Sequence, residues 1–288
     1  MKREVPLAVL VAAGVLAAGC TGGGEHRKAA SQSPRPTPTQ AAPATVGPVT
    51  LPEDPAGLVT TIGRQIKAAR AFHVQMTSMG EDGSSVRADG DVRTDTATPT
   101  AQLTISDEGR THAVLLDGIV YVRNEGEEIE PGKPWARLAR PDIGAARPTG
   151  TPEPQFSKQA DDLQRTLKTL LDGVDEAFRE ITADTGLALV RNGSFTGKPV
   201  KEQVNGQEAQ RYDGKTSTGA LSSDPALKAL DSGGVDTLPW SLWVDGKGLP
   251  QKFTVTMAGK ARWEATYTRW GSPVTVQAPP ANQVSGIQ

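Results

Sequence analysis

Apolar and polar side chains alternate with a period of two along several short segments of the chain. Phe253, Val255 and Met257 alternate with threonines, and Trp263 and Tyr267 belong to a second run in which every other residue is polar. Successive side chains of a β-strand point to opposite faces, so each run predicts a strand with one apolar and one polar face. Parallel strands that are covered on both sides would be apolar throughout, so the alternation favours a mainly antiparallel sheet.

Turn residues bound further strand-like segments. Asp117-Gly118 and Asn205-Gly206 each separate two such segments, and both dipeptides are typical of two-residue hairpin turns. We predict strands over residues 72–76, 85–92, 101–107, 111–116, 119–123, 135–138, 198–204, 208–215, 240–245, 251–257 and 262–270.

Helical periodicity is confined to three stretches. Asp54 and Pro55 fit the N-cap and first position of a helix that we expect to end near Ala71. A second apolar stripe follows the Pro- and Gly-rich loop at 141–156, and a short helix is predicted from Asp224. This order of elements predicts one α+β domain over residues 51–288, a strongly curved, mainly antiparallel sheet with helices covering its concave apolar face.

The N-terminus has the pattern of an export signal. Lys2 and Arg3 precede an apolar run over residues 5–18, which as a helix would span about 21 Å, less than the roughly 30 Å core of a bilayer. Residues 17–20 (AAGC) resemble the bacterial lipobox, which implies that residues 1–19 are a cleaved signal peptide and that Cys20 carries a diacylglyceryl anchor with palmitate-like chains. The alternative is secretory cleavage nearby with Cys20 incidental.

Residues 20–50 differ in composition from the rest of the chain. They are rich in Pro, Gly and Thr, and their only large apolar side chains are Val46 and Val49. Such a stretch buries too little surface to offset its ordering entropy, so we expect a disordered tether between Cys20 and the folded domain.

Composition and motifs exclude several classes of function. The net charge of −2 gives no broad basic surface for nucleic acid, and one cysteine permits neither an internal disulfide nor a zinc ribbon. No catalytic motif or metal-ligand spacing is present, so the sequence indicates a protein that is not an enzyme and needs no cofactor or metal. We interpret Asp89, Asp91 and Asp95 as a solvated acidic loop and expect His73 and His112 at the surface, His73 with a possible role as a pH-sensitive contact.

Five segments of the chain carry a family resemblance. They are DGIVYV at 117–122, WARL at 135–138, VNGQEAQRY at 204–212, LWVD at 242–245 with GLP at 248–250, and YTRWGSPVTVQAPP at 267–280. In this order they resemble the LolA-like lipoprotein carriers of bacteria, especially the actinobacterial lipoproteins of the LppX and LprG type. The resemblance covers most of residues 55–282 and implies an open half-barrel closed by helices over a hydrophobic cavity that binds acyl chains.

A cavity of this kind would be lined by the inward residues of the predicted strands. Each of these residues equally fits an ordinary packed core. Trp240, Trp243 and Trp270 are expected at the rim of the cavity, where the indole N–H stays in water. The predicted lining is Val74, Met76, Leu103, Ile105, Val114, Leu116, Val120, Val122, Leu242, Val244, Phe253, Val255, Met257, Trp263 and Tyr267.

Together, the lipobox-like segment and the resemblance to the LolA-like carriers imply a lipoprotein on the outer face of the cytoplasmic membrane. It would bind acyl chains of lipids, glycolipids or lipoproteins for transfer or presentation in the cell envelope, with the membrane and an envelope protein as further partners and no nucleic acid. One alternative is a protein-interaction or sensor module of the same fold that carries no lipid. Another is an envelope hydrolase whose catalytic residues are scattered in sequence.

Overall fold

The computed structural model describes residues 45–96, 99–107, 109–139, 183–221, 235–257 and 261–286. Cys20, the signal peptide and most of the tether lie outside these residues. So do the stripe predicted over 160–181 and the helix predicted from Asp224.

Strands dominate the described residues. The helices are α1 (Pro55–Ala69), α2 (Asp184–Arg191), the short α3 (Thr218–Leu221) and a 3-10 turn (Ala281–Gln283). The strands are β1 (Ala71–Met79), β2 (Ser85–Arg93), β3 (Thr100–Ser106), β4 (Arg110–Leu116), β5 (Ile119–Asn124), β6 (Trp135–Ala139), β7 (Gly193–Phe195), β8 (Val200–Val204), β9 (Gln207–Ser217), β10 (Thr237–Asp245), β11 (Pro250–Thr256), β12 (Arg262–Thr268) and β13 (Val284–Gly286).

The thirteen strands form one curved, open sheet. Its order is β13-β6-β5-β4-β3-β2-β1-β12-β11-β10-β9-β7, and β8 pairs with β9 beside β7. Within the described residues every pairing is antiparallel except the one between β13 and β6. The predicted mainly antiparallel sheet is confirmed.

Helix α1 begins as the sequence predicts. The Asp54 carboxylate accepts a hydrogen bond of 2.7 Å from the backbone N–H of Gly57, and Pro55 occupies the first helical position. The helix ends at Ala69, two residues before the expected end, because Arg70 adopts a left-handed conformation with φ 67° and Ala71 starts β1.

Both predicted hairpin turns are present. Asp117 and Gly118 have φ of 53° and 76°, and Asn205 and Gly206 have φ of 53° and 74°. Two successive positive φ angles define the type I′ turn that matches the twist of an antiparallel pair. These turns place β4 beside β5 and β8 beside β9.

Strand register defines one apolar face across the sheet. Val74 of β1 lies opposite Tyr267 of β12 and Gly90 of β2. Directly paired residues of neighbouring strands share a face, so the pairing can be followed outward in both directions. We call the side that carries Val74 and Tyr267 the apolar face, and the other side the polar face.

Candidate functional site

The apolar face brings together nearly all of the predicted lining residues. Val74, Met76, Leu103, Ile105, Val120, Val122, Leu242, Val244, Phe253, Val255, Trp263 and Tyr267 are buried in one hydrophobic cluster, and Met257 packs against it. The cluster runs from β5 at one side of the sheet to β10 at the other, so it is a single continuous surface.

Two predicted lining residues are on the wrong face. Val114 pairs with Gln102 and Tyr121, and Leu116 pairs with Ile119, which places both on the polar face. The residues of β4 that point to the apolar face are Ala113 and Leu115, because they pair with Val122 and Val120. The last four residues of β4 are all apolar, so alternation alone does not show which of them point to the apolar face.

Trp240 also differs from the prediction that it marks a rim. It is 3% exposed and shares the apolar face with Leu242 and Val244, which lie two and four residues further along the same strand. Because residues two apart in a strand point to the same face, the sequence itself predicts that Trp240 points inward with Leu242 and Val244.

A series of aromatic rings crosses the apolar face. Phe195, Trp240, Phe253 and Trp263 follow one another on β7, β10, β11 and β12, with ring centroids 6.1, 6.5 and 5.5 Å apart. These separations are in the range of favourable aromatic pairs. The rings give this half of the face a rigid, apolar surface.

Buried hydrogen bonds connect this half of the sheet to α2. Trp240 Nε1 donates to Thr216 Oγ1 at 3.0 Å, and the Thr216 hydroxyl donates to the backbone oxygen of Leu189 at 2.7 Å. Both Thr216 and Leu189 are fully buried. The hydroxyl therefore satisfies one donor and one acceptor that water cannot reach.

Helices α1 and α2 pack into the same cluster. Leu58, Ile62 and Ile66 of α1 are buried in it. A Cβ atom built on Gly186 of α2 would lie 3.2 Å from the ring of Phe253, so α2 lies directly on the apolar face at β11. Helix α2 is not predictable from periodicity, because the consecutive apolar residues 187–190 fit a buried strand as well as a helix.

The other two tryptophans predicted at the rim have protein partners. Trp270 packs on Phe72 with ring centroids 4.6 Å apart, and its Nε1 donates to the backbone oxygen of Pro250 at 2.9 Å. Trp243 lies on the polar face, where its Nε1 donates to Glu202 at 2.8 Å. Neither indole N–H depends on water for its hydrogen bond.

One polar atom inside the apolar face lacks a partner. The indole Nε1 of Trp263 is inaccessible to solvent and has no hydrogen-bond partner among the described residues, and Trp263 as a whole is 5% exposed. An unsatisfied buried donor costs about 1–3 kcal/mol. This N–H is thus a donor available to an acceptor that reaches the face.

A groove separates α1 from α2 on their outer side. Its volume is about 590 Å³, and residues from both helices line it. The apolar lining residues are Val59, Leu187 and Ala188. The charged lining residues are Arg64, Lys67, Asp184 and Arg191, all exposed.

The polar face carries an ion-pair network where the sequence suggested an acidic loop. Asp89 and Asp91 lie within β2 rather than in a loop, and His73 lies between them, with Nδ1 2.9 Å from Asp91 and Nε2 3.3 Å from Asp89. Arg269 contacts both His73 and Asp91. The His73 side chain is on the predicted outer face, but these partners leave it only 15% exposed.

Among the residues that the structure describes, four ionisable groups have displaced pKa values. Burial, followed by the positive charge of Arg123, lowers the pKa of His112, which is half-buried rather than fully at the surface. Burial raises the pKa of Tyr212. Hydrogen bonds lower the pKa of Glu130, from Lys133 first and then Ser285, and the pKa of Asp82, from Ser84.

These features do not form a recognisable catalytic or metal centre. Across the described ranges, no group of three or more His, Cys, Asp or Glu side chains is arranged to hold a metal ion. In the same part of the chain, no helix combines the length and hydropathy needed to cross a bilayer. The four groups with displaced pKa values belong to different elements of the fold: the β1–β2 turn, β4, the β5–β6 connection and β9. The apolar face is therefore the candidate site.

The fold and site together define a class: an open, curved, mainly antiparallel sheet with a continuous apolar face and short helices packed into it. No family model and no curated protein matches the chain. The chain is similar to the solved structure of LprF from Mycobacterium bovis, with 14% identity and a TM-score of 0.49; the match covers 79% of this chain and 97% of LprF. It is also similar to the structure of lipoprotein LppX from Mycobacterium tuberculosis, with 17% identity and a TM-score of 0.44; that match covers 76% of this chain and 98% of LppX. It is also similar to MucB in complex with MucA (13% identity, 80% and 58%, TM-score 0.33).

Proposed function

We propose that the chain is a membrane-anchored lipoprotein that binds acyl chains of lipids, glycolipids or lipoproteins against its apolar face and transfers or presents them in the cell envelope. The observation that carries the proposal is the extent of that face. One uninterrupted cluster spans strands β5 to β10. Apolar concave surfaces with few polar groups are typical of sites for small apolar ligands.

Binding would proceed by partition rather than by a covalent step. An acyl chain leaves the bilayer and displaces side-chain contacts between the helices and the sheet, and each buried CH₂ contributes about 0.8 kcal/mol. Met76 and Met257 suit such a face, because their unbranched side chains adapt to ligands of different shape. The lining proposed for the ligand is the predicted set without Val114 and Leu116, together with Ala113, Leu115 and Trp240.

The unpartnered Trp263 N–H suits a ligand with an acceptor oxygen. A free hydrocarbon tail would leave this donor unsatisfied, whereas the carbonyl of an ester or amide would pair with it. The proposed ligand is therefore an acyl ester or amide whose carbonyl group lies near β12.

The anchor is the second part of the proposal. The lipobox-like AAGC at residues 17–20 supports acylation of Cys20 after removal of residues 1–19. The proposed tether on the outer face of the cytoplasmic membrane ends before Val46 rather than at residue 50, because Val46 is buried against Ala69 and Leu249. Labelled palmitate supplied to growing cells should be incorporated into the wild-type chain and not into Cys20→Ser. Equal labelling of the two chains would contradict the anchor.

A chain-length series tests the acyl-binding part separately. The full chain in detergent is titrated with methyl esters of fatty acids of increasing length, and binding is followed through the change in tryptophan emission. We expect affinity to rise with each added CH₂ until the face is filled. Affinity that is independent of chain length, or absent for all lengths, would contradict acyl binding whether or not Cys20 is acylated.

A further inference from the structure

The groove between α1 and α2 has a charge that differs from the charge of the whole chain. The chain carries a net charge of −2, yet three of the four charged side chains in the groove are cationic. Arg64 and Lys67 lie along the exposed side of α1, and Arg191 faces them from the end of α2. Helix α1 contains no Asp or Glu.

These three cations outnumber the one described carboxylate of the groove, Asp184. Elsewhere Arg93 pairs with Asp95, Arg211 with Glu202 and Asp213, and Arg269 with Asp91. No ion pair of this kind joins Arg64, Lys67 or Arg191 to a described residue. The groove therefore keeps a local positive charge that an anion from outside can neutralise.

The floor of the groove is apolar. Val59, Leu187 and Ala188 line the groove together with the cationic side chains. Gly63 also lines it and adds no side chain on the α1 side. Cations around an apolar strip are the arrangement by which amphipathic surface elements hold both the phosphate and the glycerol-acyl part of a lipid at a membrane interface.

We propose that this groove binds the phosphate headgroup of an anionic phospholipid, so that the α1–α2 side of the domain docks on the membrane. The inference rests on the proposed function only for placing the chain at a membrane. A tether of about twenty-five residues reaches on the order of 80 Å and leaves the domain free to stand off in any orientation. A headgroup in the groove would fix the orientation and bring the helices that pack on the apolar face to the bilayer.

The test uses the full chain with Cys20→Ala and Thr60→Cys, which then has one thiol, beside the groove. A polarity-sensitive dye on this thiol reports insertion into vesicles of phosphatidylglycerol and phosphatidylcholine, compared with phosphatidylcholine alone. The same dye on Gln203→Cys, an exposed position of β8 outside the groove lining, reports binding that is not specific to the groove. The signal peptide is the same in every variant, so it contributes equally to each measurement.

We expect a blue shift at position 60 with the anionic vesicles only, and none at position 203. The triple variant Arg64→Gln, Lys67→Gln, Arg191→Gln should lower the docked-to-undocked ratio on the order of 100-fold, since each basic residue near an anionic surface contributes several-fold. The matched triple variant Lys198→Gln, Lys215→Gln, Lys247→Gln removes three exposed cations outside the groove and should leave the ratio nearly unchanged.

Several outcomes would overturn the proposal. Equal shifts with the two kinds of vesicle, or equal losses in the two triple variants, would show that the groove does not recognise the headgroup. A dye at position 60 that is already shielded without vesicles would show that the chain itself fills the groove. Saturation of the site by inorganic phosphate with no vesicle docking would identify free phosphate as the ligand. None of these results bears on the fatty-ester titration, so the two proposals fail separately.

Discussion

Gly214 lies directly against the indole ring of Trp240, and a Cβ atom built on Gly214 would be only 2.2 Å from Cζ2 of that ring. The two residues are paired across β9 and β10 on the apolar face. Trp240 cannot easily move away, because its Nε1 is hydrogen-bonded to the buried Thr216 and its ring stacks near Phe253. The absence of a side chain at position 214 is therefore what lets the tryptophan lie flat on the sheet.

Replacing this glycine by alanine should destabilise the protein. Gly214→Ala forces the Trp240 ring or the β9 backbone to shift, and overpacking of this kind costs about 1–3 kcal/mol or more. Gly197→Ala is the matched control, because a Cβ at Gly197 meets nothing within 4 Å. Urea unfolding should show a lower midpoint for Gly214→Ala and little change for Gly197→Ala, and equal midpoints would contradict the packing described.

The Thr216 hydroxyl should matter more than the volume of its side chain. Thr216→Val keeps the shape but leaves both the Trp240 N–H and the Leu189 carbonyl without a partner, which we expect to cost about 1–3 kcal/mol for each unsatisfied group. Thr216→Ser retains the hydroxyl and should lose much less. The free energy of unfolding from denaturant titration distinguishes the two variants. A valine variant as stable as the serine variant would show that the Thr216 hydroxyl does not stabilise the fold.

A bulky residue on the apolar face tests whether the face is open to ligand. Val120→Trp should abolish binding of fatty esters with a modest loss of stability if an acyl chain occupies that space. If the space is filled by protein, the same change should instead cost about 1–3 kcal/mol or more by overpacking. Ile119→Trp is the matched control, because Ile119 is the neighbouring residue on the polar face and its replacement should leave ester binding intact.

The alternation of residues made much of the sheet predictable. Strands β1, β11 and β12 alternate over most of their length, so the sequence correctly predicts inward residues such as Val74, Phe253 and Tyr267. The hairpins at Asp117-Gly118 and Asn205-Gly206 were equally clear, since only a few residue types accept two successive positive φ angles.

The predictions fail where the local sequence does not show which face of the sheet a residue points to, where a helix begins, or which strands pair. In β4 the consecutive apolar residues 113–116 allow either face, and only pairing with β3 and β5 decides that Ala113 points inward. Helix α2 begins after Ala183 with φ 67° and no capping side chain, so the usual start signal is missing. The parallel pairing of β13 with β6 joins residues far apart in sequence and leaves no local trace.

His112 should make stability depend on pH. Burial and the charge of Arg123 lower its pKa below the ordinary 6.5, so the unfolded chain binds a proton more readily than the folded one. Above pH 6.5 His112 is neutral in both states and does not affect stability. As the pH falls below 6.5 the unfolded chain takes up the proton first, so the folded state loses stability. The loss stops once the folded-state histidine is protonated as well.

Urea unfolding of the wild type and of His112→Gln at pH values above and below 6.5 checks this dependence. The wild type should lose more stability than the variant on acidification, because glutamine cannot take up the proton. Parallel loss in both proteins would mean that carboxylates elsewhere, rather than His112, control the acid response.

Native mass spectrometry of the full chain, isolated in mild detergent from the membranes of the cells that made it, tests the central claim most directly. We predict a population that carries a non-covalently bound acylated lipid in addition to the covalent modification of Cys20, with the bound lipid lost in Val120→Trp and retained in Ile119→Trp. A chain that is always free of bound lipid, in wild type and variants alike, would contradict the claim that the apolar face is a lipid-binding site.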